Sequence, residues 1–461
     1  MEKLIELQSK LWDYAELGFK EFKSANAICE FMENEGFKVN KGICNMETAF
    51  DCTYGSGKPV IAILAEYDAL DGMSQEADVC TYSPLKDTTT GQGCGHHLLA
   101  LGAISGFLDL KQLMEEKKLS GTIKLVGCPA EEAGSGKAYL ARDGYFDDVD
   151  IALTWHPSLY NTVSTGSSQA CIQCYFRFHG ISSHAAGSPE LGRSALDGVE
   201  LMNVGVNYLR EHMGSDERVH YAITNTGGTA PNVVQAEAEV RYFVRSTTGK
   251  RVKELYERVC DIARGAALMT QTKVDIIFDE GLVNVITNET LEDLLRDSFI
   301  KHGVPTYTKE EREYAKKFKD TYDINLLING IEEEVIDKKK LIQNIKESEL
   351  NDYFVDVRHS EVCHMGSTDV GDVSWVVPTA QINVNCYGYG AGGHSWQWVA
   401  QGKSSIATKG AIHAGKIIAD TAVTLLENNN LIDKAKEELK EKLNGETYEC
   451  LIPKDVAPHV Y

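Results

Sequence analysis

Side chains that bind metals or move protons gather at four points of this 461-residue sequence. Three of the points follow a short apolar segment, and the other is a glycine-rich turn that opens an apolar helix. In chain order the groups are Glu66 and Asp68, Cys94 with His96 and His97, Glu131 with Glu132, and His156. Carboxylate, thiolate and imidazole are ligand types of divalent transition metals. Of two adjacent carboxylates, one can bind a metal while the other moves a proton.

Each group also has an ordinary structural role when it is taken alone. Cys94 is a common kind of turn residue, adjacent glutamates usually lie on a solvated face, and His156 could simply end a strand. His97 points away from His96, because neighbours in a turn diverge, and packing is its preferred interpretation. The groups gain weight together, since ligand sites form at the carboxyl ends of strands in open α/β sheets and four coincidences there are improbable.

The apolar segments indicate an α/β core. Val60–Ala65, Ile123–Cys128, Ile151–Trp155 and Ala380–Val384 are apolar almost throughout, which is typical of strands buried on both faces. Residues 97–114 are apolar nearly all round and predict a buried helix. We therefore predict a mixed sheet sandwiched by helices as the catalytic domain.

The middle of the chain has a different periodicity. From Ala170 onward apolar and polar residues alternate, which predicts a half-buried strand. The segments that follow predict a helix at 189–213, strands at 219–224 and 234–246, a helix at 249–268 and a strand at 273–278. The order β-α-β-β-α-β is that of the ferredoxin-like unit. We predict a domain of residues 167–284 inserted between 1–166 and 285–461, with 308–358 as a solvated helical insertion.

Charge balance and cysteine content limit the partners and the compartment. The chain has 46 Lys and Arg against 68 Asp and Glu, a net charge of −22, which disfavours nucleic acid and anionic membranes as partners. It lacks a run of about 18 apolar residues, so we expect no transmembrane helix. The first residues are charged, unlike a signal peptide. We expect a cytoplasmic protein whose twelve cysteines are free, buried or metal-bound.

Several motifs, in a fixed order, resemble those of a known enzyme family. They are Ala65–Leu70, Gly93–His96, Pro129–Glu132, Trp155–Pro157, Gly180–Ala186, Pro231–Val234, Gly366–Trp375 and Gly393–Gln397. The chain resembles, nearly end to end, the co-catalytic di-metal metallopeptidases and amidohydrolases, which include aminoacylase, hippurate hydrolase and the auxin-amino-acid amidohydrolases. Within that family it is most similar to the p-aminobenzoyl-glutamate branch. The resemblance implies a homodimeric, metal-dependent amidohydrolase whose inserted domain is a lid and dimerisation domain.

The resemblance also implies a role for each matching residue. Two divalent ions, zinc or manganese with cobalt also acceptable, would be held by Cys94, His96, Glu132, His156 and His394. Glu131 would be the general base, and Asp68 would orient a ligand. On the lid, His184 would reach into the partner subunit's site. Asn232 and Arg245 would hold the carboxylate of the substrate.

Two positions depart from the family pattern, and several functions stay open. Position 97 is His where the motif usually has Asp or Asn, and position 66 is Glu where other branches carry a His ligand. The expected reaction is hydrolysis of an N-acyl amino acid such as p-aminobenzoyl-glutamate, or of a small dipeptide. Alternatives are a dipeptidase or aminoacylase with a cationic or neutral amino-acid product, an amidase with Cys94 as thiol nucleophile, and a non-catalytic partner subunit.

Overall fold

The structure, a computed structural model, describes residues 1–459. Its strands are β1 Val39–Lys41, β2 Phe50–Ser56, β3 Val60–Ala65, β4 Gly121–Gly127, β5 Ile151–Ser158, β6 Thr162–Val163, β7 Ser167–Ser168, β8 Ala170–His179, β9 Arg218–Asn225, β10 Glu237–Ser246, β11 Lys273–Leu282, β12 Cys363–His364 and β13 Thr379–Asn385. Its α-helices are α1 Glu2–Tyr14, α2 Phe22–Asn34, α3 His96–Lys117, α4 Gly136–Arg142, α5 Ala195–Leu209, α6 Gly249–Thr270, α7 Glu289–His302, α8 Lys309–Lys319, α9 Ile324–Asn329, α10 Lys338–Glu347, α11 Val370–Val376, α12 Trp396–Gln401, α13 Ser405–Glu427 and α14 Asn429–Leu443. None of these helices is long and apolar enough to cross a membrane.

A seven-stranded mixed sheet forms the larger core, in the order β1-β2-β4-β3-β5-β13-β6. Its central strands β4, β3, β5 and β13 run parallel, and β1, β2 and β6 are antiparallel to their neighbours. The four apolar segments predicted as strands are these four parallel strands, and the predicted mixed sheet is confirmed. They are apolar because helices cover both faces, so their side chains have no solvated side.

The helices that cover the sheet are packed closely enough to exclude water. α3 and α13 lie on one face, where they approach through glycines: a Cβ on Gly106 would come 2.8 Å from the carbonyl oxygen of Gly415. α4 and α11 pack against the opposite face. Because both layers are apolar, the parallel strands and their carboxyl ends are held rigidly.

A separate four-stranded antiparallel sheet lies between β7 and α7 in the chain, in the order β11-β8-β10-β9. Helices α5 and α6 cover one of its faces, and the alternate residues of β8 and β10 that point toward them form a second apolar core. The elements follow one another as β8, α5, β9, β10, α6 and β11.

The charge-rich segment 308–358 is helical, as predicted, but it is not simply a solvated insertion. Its helices α8 and α10 are amphipathic, and Phe318, Leu341 and Ile345 are buried. Leu341 and Ile345 join the core of the larger sheet. The sequence of this segment is mostly polar because each helix buries only one narrow face.

Candidate metal centre

Two groups of ligand atoms share one cysteine at the carboxyl ends of the parallel strands. The first group is Cys94, His96 and His156, and the second is Cys94, Glu132 and His394. Within each group the ligand atoms all lie within 4.8 Å of one another. All five residues that the sequence predicted as ligands are therefore brought together, in two sets with Cys94 common to both.

Hydrogen bonds orient the two histidines of the first group. His96 Nδ1 lies 2.7 Å from Asp68 Oδ1, and Oδ2 of the same carboxylate accepts from the backbone N–H of Glu132 at 2.8 Å. His156 Nδ1 lies 2.7 Å from the carbonyl oxygen of Pro157. Since Nδ1 of each ring is bonded, Nε2 is left to face the cluster, as in metal-bound histidines.

The distances in the cluster fit metal ligation. Cys94 Sγ is 3.3 Å from His156 Nε2, and Glu132 Oε1 is 3.3 Å from His394 Nε2. Two ligands of one tetrahedral zinc ion, with bonds of about 2.0–2.3 Å, lie about 3.3–3.6 Å apart. His96 Nε2 and Glu132 Oε1 are buried and, within residues 1–459, have no partner in hydrogen-bond geometry. Buried polar atoms are normally paired, so the donor set fits bound cations.

The electrostatics of the cluster point the same way. Burial, reinforced by Glu132, raises the pKa of the Cys94 thiol well above its usual range. Burial and the carboxylates of Glu66 and Glu132 raise the pKa of Glu131 well above its usual range. These groups ionise together only when positive charge is supplied, and a bound divalent cation supplies it.

The backbone is in left-handed conformations at several points of the site. Ala130 has φ 58° and His394 has φ 60°, both costly for residues with a side chain. The N–H of His394 donates to the carbonyl of Gly93 at 2.8 Å, which holds its loop against the Cys94 turn. Gly95 has φ 86°, and a Cβ there would lie 2.4 Å from the hydroxyl oxygen of Tyr387, so only glycine fits before α3.

Position 97 has no part in the cluster. His97 is buried, its Nε2 lies 2.9 Å from the carbonyl oxygen of Gly402, and burial lowers its pKa to about 3. The ring is therefore a neutral packing group on the far side of α3. It is not placed to act as a base for Cys94.

Sequence reasoning missed three buried charged residues around the cluster. Glu21 accepts from the N–H of Ala130 at 2.8 Å and from the hydroxyl of Thr48 at 3.0 Å. Lys137 pairs with both Glu66 and Asp369. Asp369 lies in one of the motifs that carry the family resemblance, and that motif was the available signal. Nothing local marks Glu21 or Lys137 as buried.

His184 and Asn232 lie next to each other at one end of the four-stranded unit. Both are exposed, and the N–H of Ala185 donates to the carbonyl oxygen of Asn232 at 3.0 Å. His184 Nδ1 accepts from the N–H of Gly187 at 2.9 Å. These contacts stay within the unit, so they do not bring His184 or Asn232 to the cluster of the same chain.

Arg245 lies at the other end of the same unit. It is the ninth residue of β10, and Glu237 is the first. At the usual rise of about 3.3 Å per residue, the two are about 26 Å apart. The Asn232 loop lies beyond the Glu237 end, so Asn232 and Arg245 of one chain are too far apart to bind one carboxylate. Arg245 Nη1 instead donates to the hydroxyl oxygen of Ser367 at 3.0 Å, two residues before Asp369.

The sequence family agrees with this geometry. The model of peptidase family M20/M25/M40 matches residues 62–455. The chain belongs to this family. The resemblance drawn from the motifs is thereby confirmed, and the protein is a hydrolase that acts on amide bonds.

Individual relatives of this M20-family chain span nearly its whole length. A p-aminobenzoyl-glutamate hydrolase subunit from Escherichia coli K12 is 40% identical, over 99% of this chain and 96% of the relative. Xaa-Arg dipeptidase from Mus musculus is 27% identical, over 96% of this chain and 90% of the relative. The solved structure of a dinuclear metal binding peptidase of the M20 family from Bacillus subtilis has a TM-score of 0.55 at 17% identity, covering 92% of this chain and 99% of that one. That structure supports the fold.

Proposed function

We propose that this chain is a two-metal amidohydrolase that cleaves an N-acyl amino acid, with p-aminobenzoyl-glutamate as the leading substrate. The observation that carries the proposal is the sharing of Cys94 by two groups of ligand atoms. The substrate is supported by the name of the Escherichia coli relative, which is 40% identical. Cleavage of a dipeptide with a cationic product, as in the name of the mouse relative at 27% identity, is the second candidate.

Each ion has its own set of protein ligands. Cys94, His96 and His156 hold one, and Cys94, Glu132 and His394 hold the other. Zinc and manganese suit this mixture of thiolate, imidazole and carboxylate, and cobalt is accepted. When bound, the ions would lower the pKa of water and polarise the amide carbonyl.

Glu131 is the general base, and its neighbour is a ligand. Glu132 is engaged with His394 at 3.3 Å, whereas Glu131 Oε2 lies 3.8 Å from His96 Nε2 and makes no shorter ion pair there. Glu131 takes a proton from the attacking water and passes it to the leaving nitrogen. Asp68 is a positioning residue, because it holds both His96 and the backbone of Glu132.

Residues 167–284 form an inserted ferredoxin-like domain that acts as lid and dimerisation domain, and 1–166 with 285–461 form the catalytic domain. The separate sheet and separate apolar core of the middle segment support this division. Since His184 and Asn232 lie far from Arg245 in one chain, a complete site takes His184 and Asn232 of the partner subunit. There the imidazole donates a hydrogen bond to the oxyanion.

The proposed substrate requires a free carboxylate, which Arg245 binds. Its guanidinium stacks on Phe243 at 3.9 Å. Purified protein should hold two divalent ions, lose hydrolysis of p-aminobenzoyl-glutamate with a chelator, and regain it when metal is restored. Arg245→Ala should raise the KM of the acid substrate by about 30-fold or more, because leaving a buried charge unpaired costs about 2 kcal/mol or more. It should leave cleavage of the neutral methyl ester nearly unchanged.

The matched control is Arg241→Ala, on the same face of β10, where Arg241 pairs with Asp279. It should leave the KM unchanged. A panel of N-acyl amino acids, their neutral esters and Xaa-Arg dipeptides separates the two candidate substrates. Equal cleavage of acid and ester by the wild type would contradict the carboxylate requirement, and metal-free protein with full activity would contradict the proposed function.

Mixing two inactive variants tests whether His184 serves the other subunit. In a mixed dimer of His184→Ala and Glu131→Gln chains, one site has both its own Glu131 and His184 of the partner subunit. At full exchange about half of the dimers are mixed with one complete site each, so about a quarter of wild-type activity should return. Native mass spectrometry reports dimer formation and exchange. Exchange without any recovered activity would place His184 in its own chain's site or outside catalysis.

A further inference from the structure

A buried lysine lies directly behind the proposed metal ligands. Lys137 is 0% exposed, and its Nζ lies 2.7 Å from Glu66 Oε1 and 2.5 Å from Asp369 Oδ1. The backbone N–H of Lys137 donates to the other oxygen of Asp369 at 2.8 Å. Glu66 and Asp369 are buried as well. One ammonium and two carboxylates leave one negative charge in excess, and buried charge needs a partner.

The excess charge faces the cluster through one oxygen of Glu66. Lys137 holds Oε1, and the other oxygen, Oε2, lies 3.3 Å from His96 Nε2. This nitrogen is the free one of its ring, because Asp68 takes Nδ1. It is fully buried and has no hydrogen-bond partner within residues 1–459.

The approach of these two atoms is that of two ligands around one cation. A hydrogen bond would require the Nε2–H to point at the carboxylate oxygen, and it does not. Two ligands of one tetrahedral ion both point at the ion instead, and their separation is about 3.3–3.5 Å for nitrogen and oxygen. The 3.3 Å between Glu66 Oε2 and His96 Nε2 matches the Cys94–His156 and Glu132–His394 separations.

We propose that Glu66 is a fourth protein ligand of the ion held by Cys94, His96 and His156, and that Lys137 and Asp369 hold its carboxylate so that one oxygen binds. This inference rests on the proposed two-metal function. It makes the two positions unequal. The first has four protein ligands, as closed zinc sites do, and the second, with Cys94, Glu132 and His394, has three and keeps a place for water or substrate.

Metal binding to Glu66→Gln tests the assignment. This variant leaves Lys137 paired with Asp369 and removes the excess charge, so it should fold. Dialysis against a series of buffered free-zinc concentrations, followed by elemental analysis, gives the ions bound per chain. We expect two ions in the wild type, and in Glu66→Gln one ion bound as before and the other bound more weakly by over tenfold. Glu66→Asp, which keeps the charge and withdraws the oxygen, should behave in the same direction.

Glu280→Gln is the control, since Glu280 is a fully buried carboxylate that accepts from the Ser135 hydroxyl at 2.9 Å, away from the ligands. It should bind both ions as the wild type does. Cobalt(II) gives a second readout, because the visible bands depend on coordination number while the thiolate band reports Cys94. Unchanged affinities and an unchanged spectrum in both Glu66 variants would overturn the Glu66 assignment alone. A wild type that binds no ions would overturn the proposed function with it.

Discussion

Cys94→Ala is expected to lose both metal ions and, with them, amide hydrolysis. The thiol is the one side chain common to the two ligand groups, so its removal takes a ligand from each position at once. The loss of affinity should exceed the 10–100-fold, in rough terms, that removing an outer partner of a metal site costs. Elemental analysis after dialysis at fixed free zinc measures the metal, and hydrolysis of p-aminobenzoyl-glutamate measures the activity.

Cys52→Ala is the matched control, because Cys52 is a fully buried cysteine of β2 in the apolar core. It should keep both ions and lose only stability. A Cys94→Ala protein with full metal and full turnover would contradict the shared-ligand role. One that keeps both ions but has no turnover would identify Cys94 as a nucleophile, the competing mechanism.

The parallel strands could be predicted from sequence, whereas the outer strands could not. β3 is apolar at all six positions because both of its faces are covered, and a strand with one solvated face would alternate instead. β2 is buried only over its first three residues and ends in exposed polar ones, so its sequence resembles a loop. The fold class was therefore accessible from the sequence, and the full strand order was not.

The site divides along a similar line. Ligands at strand ends could be recognised because ligand-type residues stand next to buried strands in the chain. The groups that hold the ligands are distant in sequence: Lys137 and Asp369 are 232 positions apart, and Glu21 and Ala130 are 109. Only tertiary packing creates these contacts. The separation of Asn232 and Arg245 likewise depends on strand register, which the alternation of residues along β10 does not supply.

Glu131→Gln is expected to lower turnover by about two to four orders of magnitude, the usual contribution of a general base. Glutamine keeps the size of the side chain and removes its ability to take a proton. Because Glu131 is not a member of either Cys94 group, both ions should stay bound, and the fold should be unchanged. Turnover under saturating substrate, with metal content measured on the same sample, separates loss of chemistry from loss of metal.

The adjacent variant decides whether the two glutamates have been assigned correctly. Glu132→Gln weakens a ligand that lies 3.3 Å from His394 Nε2, so it should release the ion of the Cys94, Glu132 and His394 position, and added metal should partly restore turnover. Added metal should do nothing for Glu131→Gln, whose defect is in proton transfer. If metal rescues Glu131→Gln and fails to rescue Glu132→Gln, the roles are exchanged. Adjacent residues on one turn point in different directions, so one arrangement or the other must hold if the cluster catalyses amide hydrolysis with two ions.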